Sequence, residues 1–308
     1  MAHRRSAAQG SGPGRQVSGV RRPRREGGAD SGGDGRVPFV VRPFEGLPGE
    51  TDWVALREFV PAATATVGLL GDHADRDVRV ASVLPQAHPA IVRADGAIWL
   101  GVQTAAAGGS GDASRELADA LERALAADPG TPVLAPDRFA PGRRLQDLLD
   151  PAVAFTVTVH ADLGFWLEDS GHVEPDVRAS LDRANATLAP TARVLEEESA
   201  YWTRIGARTY VRWVLPGSDD ASLDALARLH AAGTAALVPD SRLLGSFRAC
   251  GLLVPVWQLP DGADAAAVTE PLRELAARLA EARSTAGPLT DAERRSRSGL
   301  LSRQVTLH

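Results

Sequence analysis

From position 37 onward, apolar residues recur along the chain with two different periods. Between 51 and 61, Trp53, Leu56 and Val60 are spaced as one helical face with Phe59 beside them; Thr51 or Asp52 is placed to cap the start, and Pro61 to stop the run. The preceding "EGLPGE" is a double turn, in which Gly46 and Gly49 supply backbone angles closed to other residues and Pro48 fixes one dihedral. Strands are predicted in "VRVASVLP" and "AIVRADGAIWLGVQ", the second bent into a hairpin by Asp95-Gly96 between two apolar runs. Leu117, Leu121 and Leu125 mark a helix over 113–127 that ends at "DPG". A further hairpin is predicted in "VAFTVTVHADLGFWLE", then a helix opened by Pro175 with Val177, Leu181, Ala184 and Leu188 as its stripe, then a strand in "TARVLE".

The second half repeats this order. "RTYVRWVLP" reads as a strand, "DDASLDALARLHAAG" as a helix, "RLLGSFRACGLLVPVWQLP" as a hairpin, 268–283 as a helix carrying Leu272, Leu275 and Leu279, and "RQVTLH" as a closing strand. The expected fold is therefore α+β: two tandem βαββαβ (ferredoxin-like) units with largely antiparallel sheets, over 37–198 and 199–308. Such units cover one sheet face with helices and leave the other open; two units can bury those open faces against each other or stand apart, and local pattern favours neither arrangement. Residues 1–36 hold almost no apolar side chains to offset the entropy of ordering, and are predicted to be a disordered arm.

Charge sharpens that division. The arm carries eight arginines against Glu26, Asp30 and Asp34, a charge of +5, while the remaining 26 arginines face 36 acids, a charge of -10. "RRPRRE" in the arm is suited to weak binding of RNA or another polyanion through counterion release. All 34 basic residues are arginine, which excludes a Walker-A loop, a pyridoxal-phosphate Schiff base and a protein-kinase site in their usual forms. The one cysteine, Cys250, excludes an internal disulfide and a thiolate metal cage, and reads as a small buried residue. No stretch of about 18 apolar residues exists, and the first residues lack the apolar run of a secretory signal. The expectation is a cytoplasmic protein with no membrane partner.

Candidate chemistry is sparse. None of the seven histidines pairs with another at helical metal-site spacing, and His230, seven residues after Leu223, falls on the apolar stripe of its helix. His160 ends "FTVTVH", where alternation sets Thr156, Thr158 and His160 opposite Phe155, Val157 and Val159; with Asp162 and Trp166 it is a candidate pocket wall. In "RTYVRWV", Arg208, Tyr210 and Arg212 share one face, an anion or base-stacking platform, while Thr209, Val211 and Trp213 point toward helices. Arg248 and Ser246 would join that platform if their strand pairs with it. Asp147 and Asp150 suit turn capping before Pro151. Ser110 and Ser246 lack a nucleophile elbow, and "AAAGGSG" lacks dinucleotide-loop spacing. Glu45, Glu50 and Asp52 show no basic partner nearby, so the turn-and-helix they belong to reads as a structural clasp.

"VRPFEGLPGETDWVALREFVPAAT", "LQDLLDP", "LDALARLHAAG", "LLGSFRACGLLVPVWQLP" and "LTDAERRSRSGLLSRQVTLH" resemble an actinobacterial family of unknown function, over roughly residues 40–308. Many members of that family begin with a Cys/His zinc motif similar to the one at the carboxy terminus of the SecA translocase ATPase. Here the corresponding region holds no cysteine, so the resemblance implies no zinc site, and it brings no activity. The expected function is a non-enzymatic binding or adaptor protein with an unknown protein partner, no cofactor and no metal. The alternatives are a hydrolase or transferase in which His160, Asp162, Arg208, Arg212 and Arg248 converge, and an RNA- or ribosome-associated protein acting through the basic arm.

Overall fold

A computed structural model describes residues 37–104, 109–167 and 175–302. The arm, the strand expected in "RQVTLH", and His3, His172 and His308 lie outside the described residues. Helix α1 (Glu50–Glu58) buries Trp53, Val54, Ala55 and Leu56 in succession, so it needs cover on more than one side. It finds that cover between two sheets. Gly49, at φ 67°, turns the chain into α1 against the side chain of Phe155, and Trp53 stacks between Phe155 (4.3 Å) and Phe44 (5.7 Å).

The first sheet holds β1 (Ala63–Val67), β2 (Val78–Val83), β3 (Ala90–Val92), β4 (Ile98–Gln103), β5 (Pro132–Val133) and β6 (Val157–Val159), in the order β5-β3-β4-β2-β1-β6. It is mixed, because β2 and β4 run parallel while the other neighbours are antiparallel. The Asp95-Gly96 hairpin forms as predicted between β3 and β4, with Gly96 at φ 87° and the Ala97 amide donating to Asp95 Oδ1 (2.9 Å). Helix α2 (Ala113–Leu125), capped by Asp112, covers one face together with α1. Segment 160–167 and α3 (Pro175–Asn185) reach the other, through Leu163, Phe165 and Leu181.

The second sheet is antiparallel throughout, in the order β10-β11-β9-β8-β7, with β7 (Thr191–Leu195), β8 (Glu198–Ile205), β9 (Arg208–Trp213), β10 (Arg242–Ala249) and β11 (Leu252–Gln258). Helices α4 (Asp219–Ala231), α5 (Thr269–Ser284) and α6 (Asp291–Ser302) lie on one face, where Val211 and Trp213 meet Leu226, Leu272 and Leu275 as the alternation of β9 predicts. Tyr201, Val214, Leu252 and Val254 on the opposite face join the core of the first sheet.

The chain is thus α+β with two sheets, but neither half follows the βαββαβ order, since a β7-β8-β9 meander precedes α4 and two helices follow β11. Nor do two open faces meet, for α1 contacts β2 and β4 on one side and β8 on the other. Of the hairpin expected over 153–168, the described residues 153–167 form one short strand and a turn. Asp162 Oδ1 accepts from the Gly164 amide (2.7 Å), and Trp166 Nε1 donates to the Val83 carbonyl (2.9 Å); these bonds draw the chain across the sheet instead of along its edge. Among the described residues no helix is long and apolar enough to cross a membrane.

The clasp acids do have partners. Arg42 pairs with Glu45 and Glu50, both at 2.7 Å. Asp52, buried in the first turn of α1, accepts from Ser199 (2.6 Å) and Tyr201 (2.7 Å) of β8 and pairs with Arg193 of β7 (3.1 Å). These partners lie about 140 residues away in sequence, beyond the reach of local pattern.

Candidate functional site

Two arginines are buried among the described residues, Arg115 (6% exposed) and Arg212 (8%). Their surroundings are opposite. Arg115 donates to the carbonyls of Ala140 (3.0 Å) and Arg143 (3.1 Å) and pairs with Asp119 (3.1 Å) and Glu122 (3.4 Å). Arg212 has neither a hydrogen bond nor an ion pair among the described residues, and its Nε is enclosed without an acceptor. Burial pushes its pKa below the ordinary arginine value.

The placement follows from strand parity. Arg212 lies cross-strand from Tyr201 of β8 and Val256 of β11, on the face that looks toward the first half of the molecule. There its guanidinium carbon sits 5.3 Å from the centre of the Phe59 ring, just past the end of α1. Phe59 is held in turn by edge contacts with Tyr201 (5.9 Å) and Phe247 (6.4 Å). Two residues earlier on the same face is Tyr210, buried to 8% exposure, with a hydroxyl that is unbonded yet not enclosed. Arg208, two residues earlier again, is exposed and has no partner among the described residues. The row of three spans about 13 Å at the usual strand rise.

The other sequence candidates lie elsewhere. Arg248 is opposite Leu253, a residue of the helix-side core, and pairs with Asp219 at the start of α4. It is therefore on the other face of the sheet from Arg212, and Ser246, two residues before it on the same strand, shares that face. The reason is parity again: Phe247 and Ala249 take the inward positions of β10. His160 is half-buried at the end of β6, with Nε2 2.8 Å from Thr64 Oγ1 and its ring 5.0 Å from that of Phe165. It lines an open cleft of about 400 Å³ with Pro61, Asn185, Leu188, Pro190 and Trp202. Asp162 is exposed and spent on the Gly164 amide, so it does not orient the imidazole. His230 sits between α4 and α6, with Nδ1 3.1 Å from Ser296 Oγ.

Chemically, the β9 row offers two guanidinium cations and a phenol hydroxyl, a set of hydrogen-bond donors suited to an anionic group. No cluster of three or more His, Cys, Asp or Glu among the described residues is placed to hold a metal ion. Cys250 forms the tip of the β10-β11 hairpin with Gly251, at φ 45° and 76°. Burial, helped by the nearby Glu58 carboxylate, pushes its thiol up to about 12. Sequence reasoning did not attach Phe59 to the β9 row; no local signal links positions 153 residues apart.

No curated protein and no solved structure matches this chain. A family of unknown function, DUF5926, matches residues 43–308, a span that includes Phe59, Arg208, Tyr210 and Arg212, and the chain belongs to that family.

Proposed function

We propose that this protein is a non-enzymatic binding or adaptor protein whose partner is taken on the inward face of β9. The observation that carries the reading is Arg212, a buried charge with no acceptor among the described residues. An unpaired buried charge opposes folding by several kcal/mol when fully enclosed, and by less where, as here, part of the guanidinium is open. An apolar side chain of equal size would serve the core better, so the cation is accounted for by an acceptor that arrives from outside. The buried acid on this side of the sheet, Asp52, is already committed to three donors, which supports a site that holds a group over one that supplies a general base.

The test is quantitative capture from native lysate by full-length protein, by Arg208→Ala/Arg212→Met, and by a chain lacking residues 1–36. A partner retained without the arm and lost from the double variant is the expected result. Equal capture by the double variant refutes the β9 face, and loss only with the arm assigns binding to its polyanion-attracting arginines. Turnover of a substrate by the purified protein, abolished in the folded Arg212→Met variant, refutes the non-enzymatic reading.

A further inference from the structure

We infer that Arg212 and Tyr210 form a receiving site for an oxyanion, a phosphate or carboxylate group carried by whatever occupies the β9 face. The inference rests on the reading above that this face binds. It goes further in naming the chemistry of the group that enters.

The donor set is the first reason. Apart from its enclosed Nε, the Arg212 guanidinium has two terminal nitrogens that are not enclosed and have no bond among the described residues, and the Tyr210 hydroxyl is in the same condition one pleat away. A planar fork beside a phenol presents three or more donors and no strong acceptor, which is what an oxyanion requires and a cation or a neutral donor does not. Phe59 is the second reason. Its ring lies against the guanidinium and is itself fixed by Tyr201 and Phe247, so the fork is oriented before any ligand arrives.

The third reason is that internal alternatives are used up. Asp52, the nearest buried carboxylate on this side of the sheet, is saturated by Ser199, Tyr201 and Arg193. Thr203, cross-strand from Tyr210, is 3.1 Å from the Thr191 hydroxyl. Among the described residues the charge of Arg212 is therefore answered by no fixed anion. Arg208, exposed at the start of the same row, adds an attractive field along the approach without a partner of its own.

The experiment is thermal unfolding and calorimetric titration of the full chain with inorganic phosphate, with acetate and with chloride at matched ionic strength. The expected result is saturable heat with phosphate or with acetate, and a rise in midpoint of about 2–4 °C over chloride at saturation. Which anion acts distinguishes a phosphate from a carboxylate ligand. Phosphate also stabilises proteins through exclusion from their surface, so variants decide the matter. Arg212→Met abolishes the heat and the anion-specific shift, and Tyr210→Phe weakens the apparent affinity several-fold. Arg212→Met itself melts no lower than the parent in chloride, because the charge it removes is unpaired.

Absence of saturable heat with either anion in the parent overturns the inference, and this arm needs no variant to fold. An unchanged anion response in Arg212→Met overturns it as well. If the double variant loses its lysate partner while the parent ignores both anions, the face binds by other chemistry and only this inference fails. If capture is also unaffected, the proposed function fails with it.

Discussion

Tyr201 stands between two residues with opposite fates. On one side it donates to Asp52, a carboxylate saturated with donors; across the strand it neighbours Arg212, a cation without an acceptor among the described residues. Burial first, then the Asp52 charge, drives its phenol well above the ordinary tyrosine value, so it stays a proton donor at any physiological pH. Replacing Asp52→Asn leaves Arg193 facing a neutral group in a buried site, and we expect a loss of about 3–5 kcal/mol in denaturant unfolding. A loss below about 1 kcal/mol would show that the network is not what holds α1 to β7 and β8. Cys250 gives a prediction in pH. Its folded thiol keeps the proton up to about 12, whereas an exposed thiol releases it near 9.0. Because the folded state then binds more protons, stability falls as pH rises from about 9 to about 12. Cys250→Ser should flatten that decline, and alkylation of the native thiol at pH 8 should be far slower than that of the unfolded chain. Equal alkylation rates would refute the burial that causes the shift.

At the scale of elements, what could be read from local pattern was what strand alternation, helical spacing and short turns decide. Val211 and Trp213 on one side of β9 and Arg208, Tyr210 and Arg212 on the other are separated by parity, and the Asp95-Gly96 turn needs two residues. The misreadings share a cause. β1, "ATATV", is built of small residues with little hydrophobic contrast, and β8 follows β7 through Glu196-Glu197, a turn without glycine or proline. The 160–167 turn is set by bonds from Asp162 and Trp166, the latter reaching 83 residues back. The β9 residues of the candidate site were therefore visible, while Phe59 and the lack of a partner for Arg212 among the described residues were not, since both are properties of three dimensions. Gly49 tests the clasp directly. With φ at 67° and a Cβ placed 3.0 Å from two atoms of Phe155, Gly49→Ala combines backbone strain with a displaced ring. We expect about 1–3 kcal/mol of destabilisation. Gly46→Ala, at φ 85° with open space around it, should cost about 1 kcal/mol from the backbone alone. Equal effects of the two would mean that Phe155 yields freely and that the clasp is loose.

For the whole molecule, the consequence of placing α1 between two sheets is cooperativity. The core that contains Val80, Ile98 and Leu121 of the first half also contains Tyr201, Val214 and Val254 of the second, without a break. The loss of one half would therefore expose the apolar surface of the other. The β7-β8 pairing also crosses position 198, so the boundary that element order alone would draw there falls inside the second sheet. Tryptophans are placed to report on each part: Trp53 in α1 and Trp99 in β4, against Trp213 in β9 and Trp257 in β11. Variants that keep one reporter from each group should unfold in denaturant with the same midpoint and the same slope, since one shared core yields one transition. Two separated midpoints would mean that the halves hold their cores independently. In that case the inward face of β9 would open without unfolding the rest, and Arg212 would owe its burial to a movable contact instead of a fixed one.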